Sequence, residues 1–321
     1  MPSWQGWNSL LRKIRPFLGP LLGLILFAAA TWILLDKLQE ITWEEFREGI
    51  TGVPTTSIVL AVLMIALNYA VLITYDILAL RSVGAALPVR KIALVGFLGY
   101  ALGNNLGTLV AGTPLRFRLY TAWGLETKQI MAIIAYLGIT FWTGVFWLGG
   151  LVLLFVPIPV PQELRLPITP QTLGGILLSC GIIYALLCAR WKGSIPAAGI
   201  PLRLPNLEMM ILQTSVAALD LTVSAIALYL VLPGSSAVPF ATVLAAYLIG
   251  ITASLVTQVP GGLVVLELIL LNLLAKDVGN AVSGSLLIFR LLYYVIPLIL
   301  AIILLGAYEG LRTRQVRYRP K

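Results

Sequence analysis

Long apolar stretches alternate with short polar ones along the whole chain. Runs of about 18 or more apolar residues recur at 18 to 35, 57 to 79, 92 to 110, 130 to 156, 173 to 190, 209 to 232, 241 to 258 and 281 to 305. Each is near the ~20 residues that a helix needs to span a bilayer core. None of the gaps between them exceeds about twenty residues, less than the ~50 that a soluble domain requires. The pattern predicts an all-α, polytopic membrane helix bundle of about eight hydrophobic segments, one integral membrane domain over residues 1–321. The loop at 36 to 56 carries a capping box, Thr42 to Glu45, which predicts a short acidic surface helix. The proline-rich stretches at 157 to 170 and 193 to 206 read as extended connectors. Arg12, Lys13 and Arg15 ahead of an apolar run through Ala28, Ala29 and Ala30 imitate a signal peptide. The run continues through Trp32 to Leu35, so we expect an uncut first span.

Composition sharpens this picture. The chain is 59% hydrophobic and 11% charged, with a net charge of +9. A soluble protein with that charge would suggest nucleic acid; here the basic residues mark membrane sidedness, and no nucleic-acid partner is expected. If all eight runs cross, Lys and Arg divide twelve inside to nine outside. If the runs at 92 to 110 and 241 to 258 dip in and return, the division becomes seventeen to four, with Arg290 left inside the membrane. The second threading fits the positive-inside rule far better. It predicts an inverted repeat, with one half at about 18–156 and the other at about 173–305, each containing a broken or re-entrant segment. Both termini, 1–17 and 307–321, become basic cytoplasmic tails on the plasma (inner) membrane. The segment "LVAGTPLRFRLY" at 109 to 120 aligns with "LVTQVPGGLVVLE" at 255 to 267 at an offset of 146, with Pro114 over Pro260. Paired Pro/Gly interruptions in two halves of a membrane protein point to a transporter's binding site; kinking by proline alone is the plainer reading.

The chain has no histidine, the commonest general base and metal ligand. Cys180 and Cys188 lie eight residues, ~12 Å of rise, apart on one helix and read as packing residues. No metal site and no cofactor are expected, and no phosphate-binding loop motif is present. The chemistry rests on intramembrane charge. Thr113 before Pro114 predicts a capped helix start at a break at Gly112 to Pro114, with a partial positive charge there. Arg116 shares a helical face with Tyr120 and Trp123, while Arg118 points about 200° away. Two readings are open: both arginines are interfacial, or Arg116 holds an anionic phosphate with its planar fork. Pro260, Gly261 and Gly262 form the second break, able to turn backbone donors toward an anion. Asp220, Glu267 and Arg290 lie deep enough to form a buried network, either fixing helix packing or lining a headgroup path. Asp76 reads as an interfacial partner of Arg81. Asn68, Asn104 and Asn105 either line the same cavity or hydrogen-bond between helices.

The segments "GTPLRFRLYTAWGL", "QVPGGLVVLELILL" and "FRLLYYVIPL" together resemble the lysylphosphatidylglycerol synthase transmembrane-region family, the flippase-like membrane domain of the multiple peptide resistance factors. The resemblance runs from about Leu10 to Gly310. It implies a lipid substrate; Val264, where the family often has a glycine, departs from it. The soluble aminoacyl-transferase domain of the full-length factors has no counterpart in these residues, so lysine transfer is not implied. The expected function is a lipid translocase or lipid-handling transporter for an anionic or modified headgroup, running down a gradient or coupled to protons through Glu267. Two rivals stand beside it: a non-catalytic subunit supporting a lipid-modifying or glycosyltransferase enzyme, and an intramembrane lipid group transferase using Glu267 or Asp220 as base. Expected partners are membrane lipids, with a lipid-modifying enzyme or a second copy of the chain as further possibilities.

Overall fold

In hydrocarbon every peptide N–H and C=O must find its partner within the chain, and helices do this segment by segment. The computed structural model describes residues 52–157, 169–191, 193–197, 200–232, 238–257, 263–278 and 281–317. The first apolar run, the capping box at Thr42 to Glu45, most of the 157 to 170 connector and the Pro260 to Gly262 break lie outside them. The described residues form a bundle of α-helices, in element order α1 (Thr55–Ser82), α2 (Val89–Leu106), α3 (Thr113–Ala122), α4 (Thr127–Gly144), α5 (Gly150–Phe155), α6 (Pro170–Arg190), α7 (Leu207–Val231), α8 (Phe240–Thr257), α9 (Leu263–Val278), α10 (Ala281–Arg290) and α11 (Ile296–Arg317). Five helical stretches are long and apolar enough to cross a membrane among the described residues: 55–82, 127–155, 170–190, 207–231 and 284–311. The chain is a polytopic membrane helix bundle.

Local chemistry sets the helix ends. Gly84, at φ +67°, terminates α1, where the Ala85 amide bonds back to the Leu80 carbonyl. Gly124, at φ +93°, does the same for α3. Glu126 and Gln129 then form a reciprocal capping box that starts α4. Thr169 caps α6 ahead of Pro170, and Asn206 caps α7. The connector at 193 to 206 is extended, as expected, and in addition pairs with itself. Strands β1 (Ser194–Ala197) and β2 (Ile200–Arg203) pair antiparallel, Ser194 opposite Arg203, and the Tyr136 hydroxyl donates to the Arg203 carbonyl at 2.6 Å.

The segment from 89 to 122 is a helical hairpin, but its break is not where the sequence placed it. Thr113 is helical, at φ −68° and ψ −50°, so it caps nothing. The chain turns at Gly107, at φ +97° and ψ 135°, a region open to glycine. A π-helical turn, Thr108–Gly112, then leads directly into α3. The widened turn accommodates Pro114, whose missing N–H and ring would break an ordinary helix interior. The amino-terminal end of the returning limb, with its unpaired amides, therefore lies at Thr108, not at Thr113. Glycines let the limbs touch: a Cβ on Gly112 would sit 2.8 Å from the Gly99 carbonyl, and one on Gly103 3.5 Å from Thr108 Cα. In the second hairpin α8 packs against α9, with Gly250 set against Leu266.

Helices α1 and α7 pack against each other at the centre. Two further π-helical turns interrupt the helices that follow the hairpins, Val145–Gly149 after α4 and Leu291–Val295 after α10. In the second, the Tyr293 carbonyl accepts from the Tyr69 hydroxyl at 3.2 Å and the Tyr294 carbonyl from the Asn105 amide at 3.1 Å. The peripheral α6 turns Ile176, Ile182, Ile183 and Leu186 outward, as a helix facing acyl chains does.

Candidate functional site

A cavity of about 400 Å³ lies between the first hairpin and helices α1, α4, α7 and α8. Its wall is rich in aromatic side chains, with Tyr75, Tyr100, Trp142, Tyr247, Tyr293 and Tyr294 prominent, and its polar groups include Arg116, Asp220, Asn104, Thr108 and Thr113. Of the residues singled out from sequence as substrate-binding, the structure brings Arg116 and Asp220 to this cavity.

Arg116 is held on three sides. Its Nε and Nη2 donate to the two carboxylate oxygens of Asp76 at 3.0 and 2.9 Å, a bidentate pair. Tyr120 donates to the same carboxylate at 2.8 Å. The guanidinium carbon stands 4.4 Å from the centroid of the Tyr100 ring. Space for this comes from α2, because a Cβ on Gly99 would lie 2.6 Å from the guanidinium, and one on Gly96 3.3 Å from Asp76. The expected pairing of Asp76 with Arg81 is overturned: five residues is 140° around a helix, so Asp76 faces inward, fully buried, while Arg81 is exposed.

Asp220 does not join Glu267 and Arg290 in one network. Its carboxylate accepts from the Asn68 amide at 2.6 Å and from the Tyr75 hydroxyl at 2.8 Å, both on α1. Asn68 also donates to Ser224 Oγ at 2.8 Å and accepts from the Tyr293 hydroxyl at 2.7 Å, so one amide ties α1, α7 and the last π turn together. Arg290 pairs instead with Glu267, both of whose carboxylate oxygens lie 2.7 Å from Nη2. Arg118 turns away from the cavity, as its 200° offset predicts, and pairs with Glu309 on α11. Tyr120 braces Asp76 from outside the cavity wall. Asn104 lines the cavity, whereas Asn105 bonds to the Ala101 carbonyl within α2 and to the Tyr294 carbonyl across to the last π turn. Cys188 is buried and Cys180 exposed, both as free thiols. Among the described residues no three acidic or cysteine side chains gather closely enough to hold a metal ion.

Sequence reasoning missed the aromatic wall and the partner of Arg116, while the interhelical bonding of Asn68 was one of its two readings. The glycine spacing in α2, at 96, 99 and 103, was a legible sign that something bulky lies against that face.

The geometry can be set beside known proteins. No family model matches the chain. The uncharacterized protein slr0712 of Synechocystis sp. is 31% identical over 325 residues, covering 99% of this chain and 97% of that protein. The chain belongs to the slr0712 family. A further relative, the inner membrane protein YbhN of Escherichia coli, is 29% identical over 306 residues, covering 94% of this chain and 92% of its own. The matches to slr0712 and YbhN run nearly end to end, so they take in both hairpins and the cavity between them.

Proposed function

We propose that this chain is a lipid translocase of the inner membrane, in which an anionic or modified headgroup occupies the cavity while its acyl chains stay in the bilayer. The observation that carries this reading is the place of Leu109. It lines the cavity, and it is also 65% exposed at the hairpin turn beside the equally exposed Val110. A pocket with charged and hydroxyl groups inside thus abuts an apolar surface, which is the geometry an amphiphile needs. A guanidinium fixed by Asp76 presents its remaining edge without having to order itself on binding. The Thr108 amino-terminal helix end adds donors beside it. The resemblance to the flippase-like membrane domain and the inner-membrane relative YbhN support the same reading.

Alternating access follows from an inverted repeat over about 18–156 and 173–305. Its support is the order of elements in each half and the spacing of the π turns: residues 145–149 and 291–295 are offset by 146, as are Pro114 and Pro260. In this topology Lys128 and both termini are cytoplasmic.

The test is lipid movement in vesicles holding the purified protein. Gly138 lines the cavity with no atom within 4 Å of a Cβ built on it, so Gly138→Leu grows into empty space. Movement of a fluorescent phosphatidylglycerol should be lost in that variant while its thermal midpoint in detergent stays that of the wild type. Movement at equal rates in both would remove the cavity assignment, and absence of movement in the wild type would favour a non-transporting subunit of a lipid-modifying enzyme.

A further inference from the structure

We infer that Asp220 takes up one proton for each anionic headgroup that enters the cavity, so that the site binds the two together and carries both across. This rests on the lipid reading above and adds to it what drives the movement. Arg116 is already neutralised, because Asp76 occupies two of its nitrogens. Asp220 lines the same cavity, and the bonds to its carboxylate come from an amide and a phenol, neither of them a cation. With Asp220 ionised the three groups leave the cavity one charge negative, and a phosphate diester entering it meets a like charge in a poorly screened interior. With Asp220 protonated the three groups sum to zero. The headgroup is then accepted by the outer edge of Arg116 and by the acid O–H, and headgroup and proton together add no net charge.

The geometry leaves room for that proton. Each carboxylate oxygen of Asp220 receives one bond, Oδ1 from Asn68 and Oδ2 from Tyr75, which leaves a lone pair on each. The groups around it are fixed in their own roles. From α1 come Tyr75, Asn68 and the paired Asp76; from α8 Tyr247; from the last π turn Tyr293 and Tyr294; and across the cavity Tyr100 and Arg116. Of the other helices packed on α7, α4 spends Tyr136 on the Arg203 carbonyl, α10 pairs Arg290 with Glu267, and α6 carries Tyr184 and Cys188. The proton step therefore falls to Asp220 rather than to Glu267, which lies in an ion pair and does not line the cavity. No covalent bond in the lipid changes: one proton binds the carboxylate with the headgroup, and both leave on the far side.

The experiment uses the full chain in phosphatidylcholine vesicles holding a trace of fluorescent phosphatidylglycerol, with a pH-sensitive dye trapped inside. Movement without a gradient tests the lipid reading. A gradient of one pH unit tests coupling, since a one-to-one step converts it into up to about a tenfold ratio of labelled lipid between leaflets. The wild type should accumulate label toward the alkaline side and carry protons with it. Asp220→Asn should lose the response to the gradient, and Glu267→Gln should keep it. Wild-type movement that ignores the gradient, or a response that survives in Asp220→Asn, overturns the coupling and leaves the translocase standing. Absence of movement in the wild type overturns both. If Asp220→Asn does not fold, the dye decides on the wild type alone: proton uptake that follows labelled lipid supports the proposal, and lipid movement without it refutes it.

Discussion

The two hairpins each come with an ion pair, and the pairs are built differently. In the first, Arg116 reaches from the hairpin to Asp76 on α1, forty residues away, with side chains 3% and 0% exposed. In the second, Arg290 on α10 reaches Glu267 on α9, twenty-three residues away, with side chains 14% and 24% exposed and a single nitrogen serving both oxygens. The first pair fastens a hairpin to a long neighbouring helix in a fixed planar geometry. The second closes consecutive elements and keeps contact with the surroundings. Burial makes the first expensive to disturb, because removing either member strands a charge, whereas the second can be relieved by solvent or headgroups.

Substitutions at four positions can break that contrast. Asp76→Ala or Arg116→Ala alone should cost about 3–5 kcal/mol, read as a fall in thermal midpoint in detergent. The pair Asp76→Asn with Arg116→Gln should recover part of the loss in a double-mutant cycle. Next, Gly99→Ala pushes a methyl to 2.6 Å from the guanidinium and should cost about 1–3 kcal/mol by overpacking. Placing it on the Arg116→Ala background should remove most of that cost, which a loss of backbone flexibility would not do. The smallest effect belongs to the second hairpin, where Glu267→Gln should cost about 1 kcal/mol or less. If that change proves as damaging as Asp76→Ala, the two pairs are equivalent and the contrast fails.

Much of the bundle was legible in sequence, because a period of apolar residues near the length of a membrane span has few physical solutions. The opposed directions of Arg116 and Arg118 followed from helix geometry, and one does reach the cavity while the other reaches Glu309. The break was misplaced because Pro114 is the louder signal. Gly107, a lone glycine among others, carries the left-handed turn, and a π turn absorbs the proline. The partner of Arg116 was missed because Asp76 was judged by its nearest basic neighbour along the chain, when the helix turns the two apart. The separation of Asp220 from the Glu267 and Arg290 pair depends on which face of α7 meets α1, which one helix's sequence does not contain.

Two of the joins that hold the last π turn, from Tyr69 and from Asn105, end on main-chain oxygens rather than on side chains. Every amino acid supplies such an oxygen. Residue 294 can therefore be exchanged over evolution, or by an engineer reshaping the cavity wall, without untying the bundle at that point, provided that the widened helical turn itself is kept, whereas exchange of Tyr293 also gives up its hydroxyl bond to Asn68.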